Sequence, residues 1–199
     1  MHRNTSTGWL DSTDEGFTMV ELVVVLLILA ILLTIAIPTF LGTANVANNR
    51  SAQANLNTGL TTVKAAISRG NQTYTGVFSN LSTSEPSIKW VSATAVTTQG
   101  LVSVFVPKSG NGIIMAAYSK NSTTCWYTVD NLLVIPAADT GVGTPYGASS
   151  VAAGDATHVP TNPGTYFSSG TGPCDPTATP TAAQVASGGG WATSFSGVT

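Results

Sequence analysis

The chain has 199 residues, only 8% of them charged, with a formal net charge of -2 and a pI near 5.5. That length leaves room for one modest folded domain beside a membrane segment, and no large basic field is available for nucleic acid. Abundant Thr, Ser, Ala, Gly and Asn wet the surface with hydroxyls and amides in place of charge, which suits a protein that packs against copies of itself.

Met1 to Gly16 is polar, has no apolar periodicity and sets Asp11, Asp14 and Glu15 against Arg3. It reads as a disordered cytoplasmic leader. Gly16-Phe17-Thr18-Met19-Val20-Glu21 then opens an apolar run. No residue from Leu22 to Leu41 is charged, and as a helix rising ~1.5 Å per residue the run spans the ~30 Å core of a bilayer. Glu21 stands at its front edge. A charge there costs a few kcal/mol on insertion scales, so the acid reads as functional, provided a partner can be named. A cleaved secretory signal would be cut behind its apolar segment, not before it. A plain transmembrane anchor would supply the apolar run, but it accounts neither for Gly16 ahead of the run nor for the lone Glu21 after Phe17.

Gly-Phe-Thr-Met-Val-Glu followed by Leu22 to Pro38 resembles the class III signal of type IV pilins and related pseudopilins. The resemblance covers about an eighth of the chain. It implies cleavage after Gly16 by a prepilin peptidase, N-methylation of the new terminus at Phe17, and Glu21 as the assembly acid that meets the terminal amine of Phe17 on a neighbouring subunit. Pro38 falls at the family's helix-kink position. Family leaders often carry Lys or Arg just before the glycine, whereas this chain has Asp14-Glu15-Gly16, which weakens a positive-inside argument for orientation. Loss of Arg3 from seven basic residues, and of Asp11, Asp14 and Glu15 from nine acidic ones, leaves six of each. Neutral subunits can stack with little repulsion.

Phe17 to about Arg69 reads as one long helix interrupted at Pro38, where a backbone hydrogen bond is lost and a bend is expected. Gly42 adds softness one turn on. Leu56, Leu60, Val63 and Ile67 recur at helical spacing and make the second half amphipathic. Gly70-Asn71 is the expected stop. Strands are expected at Ile88–Val91, Leu101–Val106, Ile113–Ser119 and Thr124–Val129, paired as antiparallel hairpins, with a short one at Leu132–Ile135 before Pro136. Lys108 to Gly112 reads as a turn, its Asn111-Gly112 pair supplying the positive backbone angles of a tight hairpin. A sheet laid over the Leu56 to Ile67 face buries both apolar sides.

From Ala137 onward the composition is loop-like, dense in Gly, Pro, Thr and Ala. Trp191 and Phe195 are expected to dock, since two exposed aromatics beside a glycine run would be costly. Cys125 and Cys174 are an even pair in a segment expected outside the cell. They read as a disulfide closing a loop of roughly fifty residues, worth about 3 to 4 kcal/mol, with two free buried thiols as the alternative. The pilin resemblance makes the C-terminal stretch a disulfide-bounded, outward-facing loop region.

The sequence thus divides into a leader (1–16), a transmembrane and polymerisation helix (17–41), an amphipathic continuation (42–69) and a globular β-domain (70–199). The expected class is α+β, a long helix on a small antiparallel sheet, as in the type IV pilin fold. No catalytic constellation stands out. His158 with Asp155 makes at most half a metal site, and Asp130, Asp139 and Asp155 lack the clustered spacing of a calcium loop. Trp90, Tyr118, Trp126 and Tyr127 could stack bases, but with so few cations strand packing is the better reading. The expectation is therefore no enzyme, no cofactor and no nucleic acid. A pilus subunit is expected, stored as a single-pass membrane precursor and exported as a filament, for adhesion, motility or DNA uptake. Its partners would be copies of itself, a prepilin peptidase, an assembly platform and an ATPase. A pseudopilin of a type II secretion-like system is the alternative, and an anchored adhesin, sensor or hydrolase a further one.

Overall fold

The computed structural model describes residues 16–70, 72–120, 122–139, 159–171, 174–177 and 190–195. The leader therefore lies outside the described residues except for Gly16, as does Asn71 of the expected helix stop. The chain divides into two units, Met1–Gly42 and Thr43–Thr199. Helix α1 (Met19–Ser68) begins in the first and runs into the second.

Within the first unit, consecutive residues Leu22 to Leu27 are each about half exposed. A helix apolar on every side has no single face to bury in a small domain. Pro38 lies inside α1 without ending it, so the expected interruption is not a break in the helix. Proline withholds one N–H from the ladder, and hydroxyls brace both flanks. Thr34 Oγ1 donates to the Ile31 carbonyl (2.6 Å) and Thr39 Oγ1 to that of Ile35 (2.7 Å).

In the second unit α1 turns amphipathic, burying Ala52, Leu56, Leu60, Val63 and Ile67. It closes by tightening: the N–H groups of Arg69 and Gly70 donate to the carbonyls three residues back, Ala66 and Ile67 (3.3 and 3.2 Å). A short helix α2 (Phe78–Ser84) follows, in a Ser-rich stretch with weak helix propensity that gave no periodic signal. The sheet comprises β1 (Lys89–Ser92), β2 (Leu101–Phe105), β3 (Gly112–Ser119), β4 (Thr124–Asn131) and β5 (Gly164–Thr171), in that spatial order.

Three expectations about the sheet need correction. First, β1 pairs with β2 in parallel, Lys89 opposite Leu101, whereas all other pairs are antiparallel. Positive φ at Ala93 (45°) and Gly100 (87°) turns the chain at either end of the short connection. Second, Leu132–Ile135 is not a strand. Its neighbour β3 already ends at Gly112 opposite Asn131, and Leu133 and Val134 are exposed. Third, β5 lies in the stretch read as loop. Gly164-Thr165-Tyr166-Phe167-Ser168-Ser169-Gly170-Thr171 has little apolar alternation, and its strand character comes from eight-residue pairing with β4.

The β2–β3 turn is where expected, but its positive φ (71°) belongs to Gly110, not to the Asn111-Gly112 pair. A Cβ at Gly110 would collide with the hydroxyls of Thr73 and Thr75. The Gly110 carbonyl also receives the Tyr74 N–H at 2.9 Å, fastening the turn to the segment after α1.

The sheet is buried on both faces. Val102, Val104, Ile113, Met115, Ala117, Trp126 and Phe167 meet the α1 stripe. Ile114, Ala116, Tyr127, Val129 and Tyr166 pack instead against Val96, Ile135, Val159, Cys174 and Trp191. The fold is α+β, a long N-terminal helix on a five-stranded, mostly antiparallel sheet, and agrees with the type IV pilin fold.

Candidate functional site

Thr18 precedes the first residue of α1 and Glu21 follows three positions later, the spacing at which two side chains can satisfy each other's backbone donors. The Thr18 N–H donates to Glu21 Oε2 (2.9 Å), the Thr18 hydroxyl to the same oxygen (2.7 Å), and the Glu21 N–H returns to Thr18 Oγ1 (3.2 Å). Glu21 therefore already has a partner within its own chain, and its charge sits at the positive end of the helix. The sequence reading missed Thr18, although the Thr-x-x-Glu spacing was there to find it. Phe17, just ahead, is 80% exposed. A Cβ at Gly16 would meet nothing within 4 Å, so the packing described imposes no glycine at that position.

Behind this cap the helix has an 18-residue window of mean hydropathy 3.2, none of it buried. It is long and apolar enough to cross a membrane and fits a membrane-anchored precursor. Pro38 falls within the uncharged run from Leu22 to Leu41.

The second unit has its own polar centre. Asp130, 4% exposed, accepts the Tyr74 hydroxyl on Oδ2 and the Thr165 hydroxyl on Oδ1. Lys64 Nζ stands 3.0 Å from Oδ1 and donates to Thr165 Oγ1 at 2.8 Å. Three groups, from α1, its following loop and β5, thus converge on one carboxylate of β4. Asp139 is spent elsewhere, accepting the Ser109 N–H at 3.0 Å. Among the described residues no three His, Cys, Asp or Glu gather in a way that could hold a metal ion. Asp155 and His158 lie outside them.

Cys125 and Cys174 form a disulfide, Cα to Cα 5.2 Å. Cys174 also exchanges backbone hydrogen bonds with Val96 (2.8 and 3.1 Å), so the C-terminal segment is tied both to β4 and to the loop before β2. Beside it, burial pushes the Tyr127 hydroxyl up to about 12, against a lowering hydrogen bond from the Asp175 backbone and a small raising effect of the Asp175 charge. Trp126 and Tyr127 are buried, while Trp90 and Tyr118 are half-buried against the two cores. Trp191 is buried, and Phe195 stacks edge-on to Trp126 at 5.6 Å and lies 4.4 Å from Phe167.

Compared with known families, residues 12–37 match the model described as the prokaryotic N-terminal methylation motif. No curated protein and no solved structure matches the chain. The motif is a structural signal and not that of an enzyme family. Over residues 12–37, then, the chain carries the class III signal of type IV prepilins and pseudopilins.

Proposed function

We propose that the chain is the precursor of a structural subunit of a type IV pilus. A prepilin peptidase cleaves it after Gly16, Phe17 is methylated, and residues 17–41 polymerise into the core of an extracellular filament with the help of an assembly platform and ATPase. The observation that carries this reading is the methylation motif at the head of a helix whose apolar side chains are exposed on all sides. Such a surface is at home in lipid and again among its own copies. Glu21 is the register check: its carboxylate, held by Thr18, meets the freed amine of Phe17 on the next subunit only when that subunit is correctly placed.

The test is the N-terminal sequence and intact mass of the chain from sheared cell-surface filaments, with Glu21→Gln alongside. A chain beginning at methylated Phe17, and a Glu21→Gln variant that inserts and folds but yields few filaments, support the proposal. A processed chain found only in the membrane moves the assignment to a pseudopilin. A surface chain still carrying Met1 refutes processing altogether.

A further inference from the structure

The connection between β2 and β3 contains Asn111-Gly112, the one place in the sequence where glycine follows asparagine. The pair does not make the turn. The positive φ there belongs to Gly110, and Gly112 is the buried first residue of β3, opposite Asn131. What the pair carries is chemistry. Glycine has no Cβ to hinder its backbone nitrogen from approaching the Cγ of the preceding asparagine, so a five-membered imide closes more readily here than before any larger residue.

Three hydrogen bonds hold Asn111 away from that reaction. Its Nδ2 donates to the Val134 carbonyl (3.2 Å), its N–H donates to Ser109 Oγ (3.3 Å), and its carbonyl accepts the Leu132 N–H (2.8 Å). The last of these fixes the peptide that joins Asn111 to Gly112, and so keeps the attacking nitrogen from swinging round to Cγ. Two of the three partners belong to Leu132–Val134, the stretch that leaves β4 and takes no part in the sheet. Leu133 and Val134 are exposed, and the next anchor along the chain is Ile135, whose N–H donates to the Thr161 carbonyl (2.9 Å). The clasp can therefore open by giving up two surface hydrogen bonds while the sheet stays whole.

We propose that Asn111-Gly112 is a self-modifying site whose rate is set by the opening of Leu132–Val134. When that stretch lifts, a hydroxide ion from solvent takes the Gly112 amide proton and the nitrogen attacks Asn111 Cγ. The Cγ–Nδ2 bond breaks and ammonia leaves. Water then opens the imide at either carbonyl, leaving an aspartyl or isoaspartyl residue at position 111. The new carboxylate only accepts, so it cannot restore the bond to the Val134 carbonyl, and it stands beside a turn already held by the Asp139 carboxylate through the Ser109 N–H (3.0 Å). The isoaspartyl form also adds a methylene to the backbone ahead of β3 and carries the carbonyl away from Leu132. Conversion is one-way and needs no partner, so the converted fraction records the age of the chain.

The test is incubation of the purified full chain in detergent and mildly alkaline buffer, with released ammonia measured and the site located by peptide mass and isoaspartyl-specific methylation. Asn111 should convert faster than every other asparagine in urea, and Gly112→Ala should slow it there, where folding plays no part. In the folded chain conversion should be at least about tenfold slower than in urea, the equivalent of about 1.4 kcal/mol of opening. Leu132→Pro deletes the N–H that fixes the Asn111 peptide and should speed conversion of the folded chain about fivefold, the equivalent of about 1 kcal/mol for one hydrogen bond. In the unaltered chain, amide exchange at Leu132 and conversion at Asn111 should rise together as urea is added below the unfolding midpoint, which tests the gate without a variant. Conversion in urea no faster at Asn111 than elsewhere overturns the site. Equal rates in folded and unfolded chain, or Leu132 exchange that quickens while conversion does not, overturn the gate.

Discussion

Replacing Asp130 by Ala should destabilise the second unit far more than replacing Lys64 by Met, although the two form an ion pair. Lys64 is 45% exposed on its side chain and Asp130 only 5%. Without Asp130, the Lys64 ammonium turns to water. The Tyr74 hydroxyl cannot, because Tyr74 is fully buried, and Thr165 is only half-buried. A hydrogen bond to a charged group is worth about 1.5–3 kcal/mol, so losing the buried Tyr74 bond, with a smaller share from the half-buried Thr165 bond, should make Asp130→Ala cost about 2–4 kcal/mol. With Lys64 gone, Asp130 keeps both hydroxyl donors, and the lost half-exposed pair is worth about 1 kcal/mol after screening by solvent. The assay is thermal unfolding of the purified full chain in detergent, followed by tryptophan fluorescence. At roughly 2–4 °C per kcal/mol for a unit of this size, Asp130→Ala should lower Tm by about 5–15 °C and Lys64→Met by about 2–4 °C. A Lys64→Met loss equal to or greater than that of Asp130→Ala would refute the reasoning, since the cation and not the hydroxyls would then hold the carboxylate.

Gly110→Ala should cost at least about 2 kcal/mol in the same melt, because it forces a side chain onto a φ of 71° and into the Thr73 and Thr75 hydroxyls; a neutral result would mean that the turn relaxes freely. Tyr127, raised from 10.0 to about 12, stabilises the folded state fully below pH 10 and loses that contribution as pH climbs through 12. Unfolding midpoints of wild type and Tyr127→Phe should therefore converge across that window, and parallel curves would count against burial of the hydroxyl. Thr18→Val removes both side-chain bonds to Glu21 and should loosen the first turn of α1 by about 1 kcal/mol. Amide exchange should speed up at Met19 to Glu21 while the melting of the second unit stays unchanged.

How much of this was legible in the sequence depended on whether the signal was local. The Leu56, Leu60, Val63, Ile67 stripe and the strands around Val102, Ile114 and Trp126 announced themselves by spacing and by β-branched or aromatic content. What stayed hidden was fixed by neighbours. β5 is polar over half its length and is a strand because β4 offers a whole edge to pair with. The parallel turn of β1 onto β2 depends on Ala93, a residue whose positive φ no propensity foretells. The positive φ of the β2–β3 turn passed from the Asn-Gly pair to Gly110 because Thr73 and Tyr74, distant in sequence, take hold of Gly110.

The candidate site divides along the same line. Gly16, Phe17 and Glu21 lie within the contiguous signal at residues 12–37, with Pro38 directly behind it, and were read from that run of sequence, whereas the Asp130 centre draws on Lys64, Tyr74 and Thr165 from three separate segments and left no pattern. Helix α1 shows why a contiguous reading can identify one half of this protein and not the other. Up to Leu41 its residues are apolar on every face, so they specify a solvent, lipid or like helices, without specifying a partner surface. Beyond Thr43 the same helix keeps one stripe apolar, and that stripe has meaning only against the particular sheet that covers it. A substitution that adds a charge should therefore act differently in the two halves. At Leu29 it should block membrane insertion and assembly while the second unit still melts normally, and at Leu56 it should unfold the second unit while insertion proceeds. Vesicle flotation and tryptophan melting, read together on Leu29→Lys and Leu56→Lys, separate the two effects. If both variants lost both properties, the first half of α1 would be specifying the folded domain as well, and the division drawn here at Gly42 would be wrong.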